Sequence, residues 1–113
     1  MDYTLNQKGN IQILKINNLL SEIQNKKILQ QATQQIEQGF SNFVVDLSKM
    51  DFINSVGISF LLNLMKRSTK SGGKIVLVNP NSTIQNILKV TKINQFFPTK
   101  NNIEEATDLV SNK

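Results

Sequence analysis

The chain contains no cysteine, no histidine and no tryptophan. Without cysteine there is no disulfide, no thiol nucleophile and no thiolate ligand. Without histidine the commonest metal ligand is missing, as is the side chain that most readily exchanges a proton near neutral pH. No glycine-rich phosphate loop compensates for these losses. Catalytic residues, a metal site and a cofactor are therefore not expected. Long apolar runs are also missing. The longest, residues 58–65, is interrupted by Ser59 and Asn63 and falls far short of the roughly 20 residues that cross a bilayer. The opening Met1-Asp2-Tyr3-Thr4 has neither a basic region nor an apolar stretch, so a secretory signal is not expected and cytoplasm is the default compartment.

What is present is enough for one modest core: 113 residues, 39% of them hydrophobic, predict one domain spanning 1–113. The formal charge is +5, from 13 basic and 8 acidic residues. A basic balance raises nucleic acid or an acidic membrane as partners, and position decides between them. The basic residues are scattered. Lys26-Lys27 and Lys66-Arg67 are the adjacent basic pairs, each lies in a helical pattern, and no aromatic residues alternate with them to stack on bases. Solvated helix faces are the reading, with neither direct nucleic-acid binding nor membrane insertion. The abundance of Asn, Gln, Lys and Ile is compositional bias, because apolar periodicity survives it.

That periodicity gives the order of elements. Tyr3 and Leu5 alternate with polar residues, Lys8-Gly9-Asn10 supplies turn chemistry, and Ile11 and Ile13 share one face of a second strand whose other face carries Leu14 and Ile16. A strand apolar on both faces is predicted to be central, or covered on both sides. Residues 22–38 lack Pro and Gly and place Ile28, Leu29, Ala32 and Ile36 at helical spacing before Gly39. Residues 43–47 form a short β-branched strand ending in Asp46-Leu47. A loop over 48–54 leads into a helix over 55–69, with Val56, Phe60 and Leu64, and beside them Leu61 and Met65, facing inward. Ser71-Gly72-Gly73 breaks the chain before a strand over 74–78. Asn79-Pro80-Asn81-Ser82 then opens a helix carrying Ile84, Ile87 and Leu88. A short extended piece over 95–98 and a helix over 103–110 follow. A hairpin followed by strand-helix units predicts an α/β fold, a mixed sheet packed against about four helices.

The stretch from Asp46 to Gly57 carries the functional signal. It reads as strand, loop, small-residue turn and apolar helix. Ser55 stands where the helical period begins, so its hydroxyl suits an unpaired N–H of the first turn. The same location suits a phosphoryl group, since free N–H groups and the positive dipole end stabilise an added charge of about −1.5 to −2. Local chemistry leaves cap and switch both open, and capping is the commoner role. Gly57 lacks a Cβ and would let another chain, or a group on Ser55, approach the first turn closely.

Asp46-Leu47-Ser48 followed by Phe52-Ile53-Asn54-Ser55-Val56-Gly57-Ile58 resembles the signature of the STAS family, in which a strand ending in D-L-S precedes D-S-x-G-L at the start of an apolar helix. The order of elements resembles that family over nearly the whole chain. In its bacterial anti-sigma factor antagonists, the serine matched by Ser55 is phosphorylated by a partner that is both serine kinase and anti-sigma factor, an ATPase of the histidine-kinase-like type. The resemblance thus implies partner switching: the unphosphorylated form binds the anti-sigma factor, phosphorylation breaks the complex, and a phosphatase is a further implied partner. Asp51, Phe52, Asn54, Ser55, Val56, Gly57 and Ile58 are the implied docking residues. The chain departs from the pattern twice. Asn54 replaces the aspartate before the serine, keeping turn and hydrogen-bonding capacity without the carboxylate. Asn17-Asn18-Leu19-Leu20 replaces a G-x-L-D end to the second strand, so Leu20 stands in place of an acid.

Other residues have plainer readings. Asp46 is expected to accept hydrogen bonds from the following loop and so support the Ser55 turn. Asp51 either meets a partner or is solvated. Met50, Phe52 and Ile58 form either an apolar rim around the helix start or, for Phe52 and Ile58, part of the core. Phe96-Phe97-Pro98 reads as an edge strand or a buried loop. The alternative function with the same fold is a constitutive docking subunit of a larger assembly, such as a lipid-transport complex, without a phospho-switch.

Overall fold

The computed structural model describes residues 2–111. Two strands, β1 (Tyr3–Lys8) and β2 (Ile11–Ile16), form the opening hairpin, followed by α1 (Glu22–Glu37), β3 (Asn42–Asp46), α2 (Ser55–Lys70), β4 (Ile75–Val78) and α3 (Ser82–Val90). A 3₁₀ turn (Ile93–Phe96), the short β5 (Thr99–Lys100) and α4 (Ile103–Ser111) complete the chain. The strands lie in sequence order in one sheet. β1 and β2 are antiparallel, and every later pairing is parallel. The mixed α/β sandwich expected from the hairpin and the strand-helix alternation is what the chain forms.

The hairpin closes through Gly9, whose φ of +62° is a left-handed conformation that glycine adopts without steric cost. β2 is central and apolar on both sides, as its composition predicts. In register, Leu5, Leu14, Val45 and Leu77 form one row, and Ile13, Val44 and Val76 the row on the opposite face. The first row meets Ile28 and Ala32 of α1, Phe60, Leu61 and Leu64 of α2, and Ile84 and Leu88 of α3. The second meets Ala106 and Val110 of α4. Each fully buried Leu, Ile or Phe in these rows contributes about 1.5–3 kcal/mol relative to exposure, so three helices are fixed on one face and one on the other.

The C-terminal region differs from expectation. Residues 95–98 are not an extended piece. Ile93–Phe96 is a 3₁₀ turn, entered through Lys92 at φ +63°, and the edge strand begins at Thr99. The left-handed residue reverses the chain so that Phe97 is buried while Phe96 stays half exposed. The paired bases Lys26-Lys27 and Lys66-Arg67 are all exposed. Among the described residues no helix is long and apolar enough to cross a membrane.

Candidate functional site

Because β2, β3 and β4 run parallel, the loops that leave their carboxyl ends gather on one edge of the sheet, where open α/β folds commonly place their sites. The loop after β3 is built from short polar contacts. Asp46 Oδ1 accepts a hydrogen bond from Ser48 N at 2.9 Å, which fixes the first turn of that loop. Met50 N donates to Leu47 O at 3.0 Å, and Leu47, Met50 and Ile53 are buried, so three apolar side chains anchor the loop from beneath. A further tether comes from across the fold. Asn81 Nδ2 donates to the carbonyls of Met50 and Asp51 at 3.1 and 2.9 Å, while its Oδ1 caps α3 by accepting from Ile84 N at 2.8 Å. One asparagine thus joins the loop before α2 to the start of α3. In the sequence Asn81 reads only as part of a helix entry, because its bond to Asp51 spans 30 residues and no local pattern reports it.

At the start of α2 the cap is Asn54, not Ser55. The Asn54 Oδ1 accepts from Val56 N at 3.1 Å and Gly57 N at 3.2 Å, and its backbone carbonyl accepts from Ile58 N at 2.9 Å. Both residue types cap well, and Asn54 is the one held in extended conformation (φ −117°, ψ −172°), from which a side chain reaches the N2 and N3 amides. Ser55 is therefore the first helical residue. It is exposed, and among the described residues its hydroxyl makes no hydrogen bond.

Gly57 serves a different closeness from the one expected. It is buried, and a Cβ there would sit 2.7 Å from Ile53 Cγ1 and 3.1 Å from Leu19 Cβ. The missing side chain lets the first turn settle on its own chain. Leu19 is in turn held by Asn25, whose Nδ2 donates to the Leu19 carbonyl at 3.0 Å. Phe52 is 48% exposed and so belongs to the rim rather than the core. Met50, expected in that rim, is buried in the core instead, and Val56 and Ile58 are partly buried. Asp51 and Asn54 are exposed. Leu20, which stands in place of an acid, is 46% exposed. Of the seven residues implied for docking, Gly57 alone is buried, and the rest reach the surface in full or in part.

Beside Ser55 an open groove of about 300 Å³ runs between the N-terminal halves of α1 and α2. Its walls include Glu22, Asn25 and Lys26 from one helix and Ser55, Ser59 and Asn63 from the other, over a floor containing Phe60. Sequence spacing shows which residues share a face of one helix, but not that these two helices pack side by side.

Comparison with known proteins agrees with this geometry. A protein of Thermotoga maritima described as an anti-sigma factor antagonist is 27% identical over 78 residues, 69% of each chain. The crystal structure of an anti-sigma factor antagonist from the same organism superposes with a TM-score of 0.85 at 22% identity, covering 96% of this chain and 93% of that one. The anti-sigma factor antagonist SpoIIAA in its unphosphorylated form gives 0.82 at 18% identity, over 96% and 95%. Its phosphorylated form, from Bacillus, gives 0.76 at 19%, over 96% and 98%. The STAS domain family model matches residues 2–106, from the opening strand into the last helix, and the chain belongs to that family.

Proposed function

We propose that this protein is an anti-sigma factor antagonist whose partner binding is controlled by phosphorylation of Ser55. The observation that carries the proposal is the division of labour between Asn54 and Ser55. Asn54 caps the helix, which leaves the Ser55 hydroxyl exposed and unengaged at the first residue of α2, just after a well-tethered loop. A serine needed for capping would lose that role on modification; this one would not. The names of the similar proteins support the partner class, and a relative that exists in phosphorylated and unphosphorylated forms supports the switch.

The protein acts by binding, and the chemistry belongs to its partner, a serine kinase that is also the anti-sigma factor. The Ser55 Oγ attacks the γ-phosphorus of ATP. The Oγ–P bond forms, the bond from the γ-phosphorus to the bridging oxygen breaks, ADP departs with the electron pair, and the hydroxyl proton passes to a base on the kinase. Docking uses Asp51, Phe52, Asn54, Ser55, Val56 and Ile58, with Phe52 the apolar anchor. Gly57 contributes by fixing the turn. Adding a charge of about −1.5 to −2 beside a half-exposed phenyl ring forces a desolvated anion into the interface, and the complex separates. A phosphatase resets the cycle.

The experiment is incubation with the kinase and ATP, followed by peptide-resolved mass spectrometry. The proposal expects one added phosphoryl group on Ser55 and none on a Ser55→Ala variant. Label on another residue, or undiminished label on the variant, would overturn it.

A further inference from the structure

A phosphoryl group on Ser55 would enter a helix start where three of the first amides are already occupied. Val56 N and Gly57 N both bind Asn54 Oδ1, and Ile58 N binds the Asn54 carbonyl. Of the first-turn amides that ordinarily hold an anion, only Ser55 N is therefore left among the described residues unless the cap is displaced, and one amide is a weak holder of a dianion. The neighbouring groove offers another donor. Lys26 lines it together with Ser55, is exposed, and makes no ion pair among the described residues. On these grounds, and resting on the reading of Ser55 as the acceptor, we propose that Lys26 is the counter-charge that holds the phosphoryl group against the α1 side of the groove.

Three observations support that placement. The first turn of α2 contains no acidic residue, and the two positions where the family pattern has acids are Asn54 and Leu20, so neither competes for the ammonium. Asn25 also lines the groove. It is only 6% exposed, and among the described residues its Oδ1 has no hydrogen-bond partner, an acceptor with nothing to offer a phosphate but one that an N–H of the Lys26 ammonium, drawn into the groove, would satisfy. The charged groups around the position are then few. On α1, Glu22 lies one turn before Lys26 in the same groove. On the loop before α2, Asp51 is exposed. Ser59 and Asn63 of α2 are neutral. An exposed Glu and Lys four apart on a helix attract each other weakly, and a doubly charged phosphate competes for the ammonium with twice the charge of the Glu22 carboxylate.

The role assigned to Lys26 also gives the modified protein a defined structure. Instead of a phosphate waving in solvent, the charge is drawn toward α1, and the surface is altered on both sides of the groove.

The test uses the full chain with phosphoserine installed at position 55 during translation, so that no kinase is involved, and reads the phosphorus NMR shift against pH. The second ionisation of a phosphoserine lies near about 6 in the open. A held dianion titrates lower. Lys26→Gln is expected to raise the midpoint by about half a unit to one unit, from one charge a few ångströms away in a partly solvated groove. Lys26→Arg restores the low value, Glu22→Gln lowers it further, and Lys27→Gln, on a side chain outside the groove, leaves it unchanged. A Lys26→Gln midpoint equal to that of the parent, or an equal shift from Lys27→Gln, overturns the assignment. Failure of the partner kinase to modify Ser55 is a separate outcome. It would refute the proposed function while the titration still decides whether Lys26 holds the group.

Discussion

Replacing Gly57 with alanine is a one-carbon perturbation whose sign the geometry decides. Helix propensity favours the change by at most about 1 kcal/mol, and by less in a first turn. Against this, the added carbon would lie 2.7 Å from Ile53 Cγ1, 3.1 Å from Leu19 Cβ and 3.2 Å from Ile53 Cδ1, where carbon atoms prefer about 3.5–4.0 Å. Neither neighbour yields cheaply. Leu19 Cβ is fixed to backbone that Asn25 holds at 3.0 Å, and Ile53 is 97% buried, with 3% exposed. Overpacking of this kind costs about 1–3 kcal/mol, which leaves a net loss of about 1 kcal/mol. Urea unfolding should show a lower midpoint with an unchanged slope. In an Ile53→Ala background the same substitution should cost less or become favourable, a coupling of about 1 kcal/mol or more between two residues in contact. A Gly57→Ala protein as stable as the parent, with no coupling to Ile53, would refute the view that this glycine exists to seat the first turn of α2.

Three further substitutions separate the parts of the site. Asn54→Ala should lose about 1 kcal/mol of stability through the vacated cap, whereas Asn54→Asp keeps the cap and gains a few tenths from the helix dipole; thermal melts that place Asn54→Asp below the parent would contradict the capping geometry. Ser68 is fully buried and donates to the Ser41 carbonyl at 2.6 Å, so Ser68→Ala should cost about 1–2 kcal/mol in chemical unfolding; a neutral result would mean that this bond does not help join α2 to the strand entry. Phe52→Ser should change stability by no more than about 0.5 kcal/mol, because the ring lies half exposed on a loop, yet weaken partner binding at least about 10-fold. Loss of folding in that variant would return Phe52 to the core.

Much of the architecture was legible because it is written as periodicity. The two apolar faces of Ile11–Ile16 announced a central strand, and the 3–4 spacing of Ile28, Ala32, Leu61 and Leu64 announced helices that bury one stripe. Errors arose where one residue type serves two ends. Phe96 and Phe97 have strand propensity, but a left-handed Lys92 turns the chain and makes a 3₁₀ segment instead. Asn54 and Ser55 are both capping residues, and only backbone conformation distinguishes the cap from the first helical residue. Phe52 is apolar and yet exposed, while Leu47, Met50 and Ile53 of the same loop are buried. The groove beside Ser55 and the Asn81 tether come from segments far apart in the chain, and they exist only once α1, α2 and α3 have packed on the same face.

Isothermal titration of the anti-sigma factor with two forms of this protein, one with serine and one with phosphoserine at position 55, bears most directly on the switch. A charge buried at an interface with no counter-charge from the binding partner costs about 2–5 kcal/mol, so the unmodified protein should bind and the phosphorylated one should bind at least about 30-fold more weakly. Equal affinity for the two forms would contradict it.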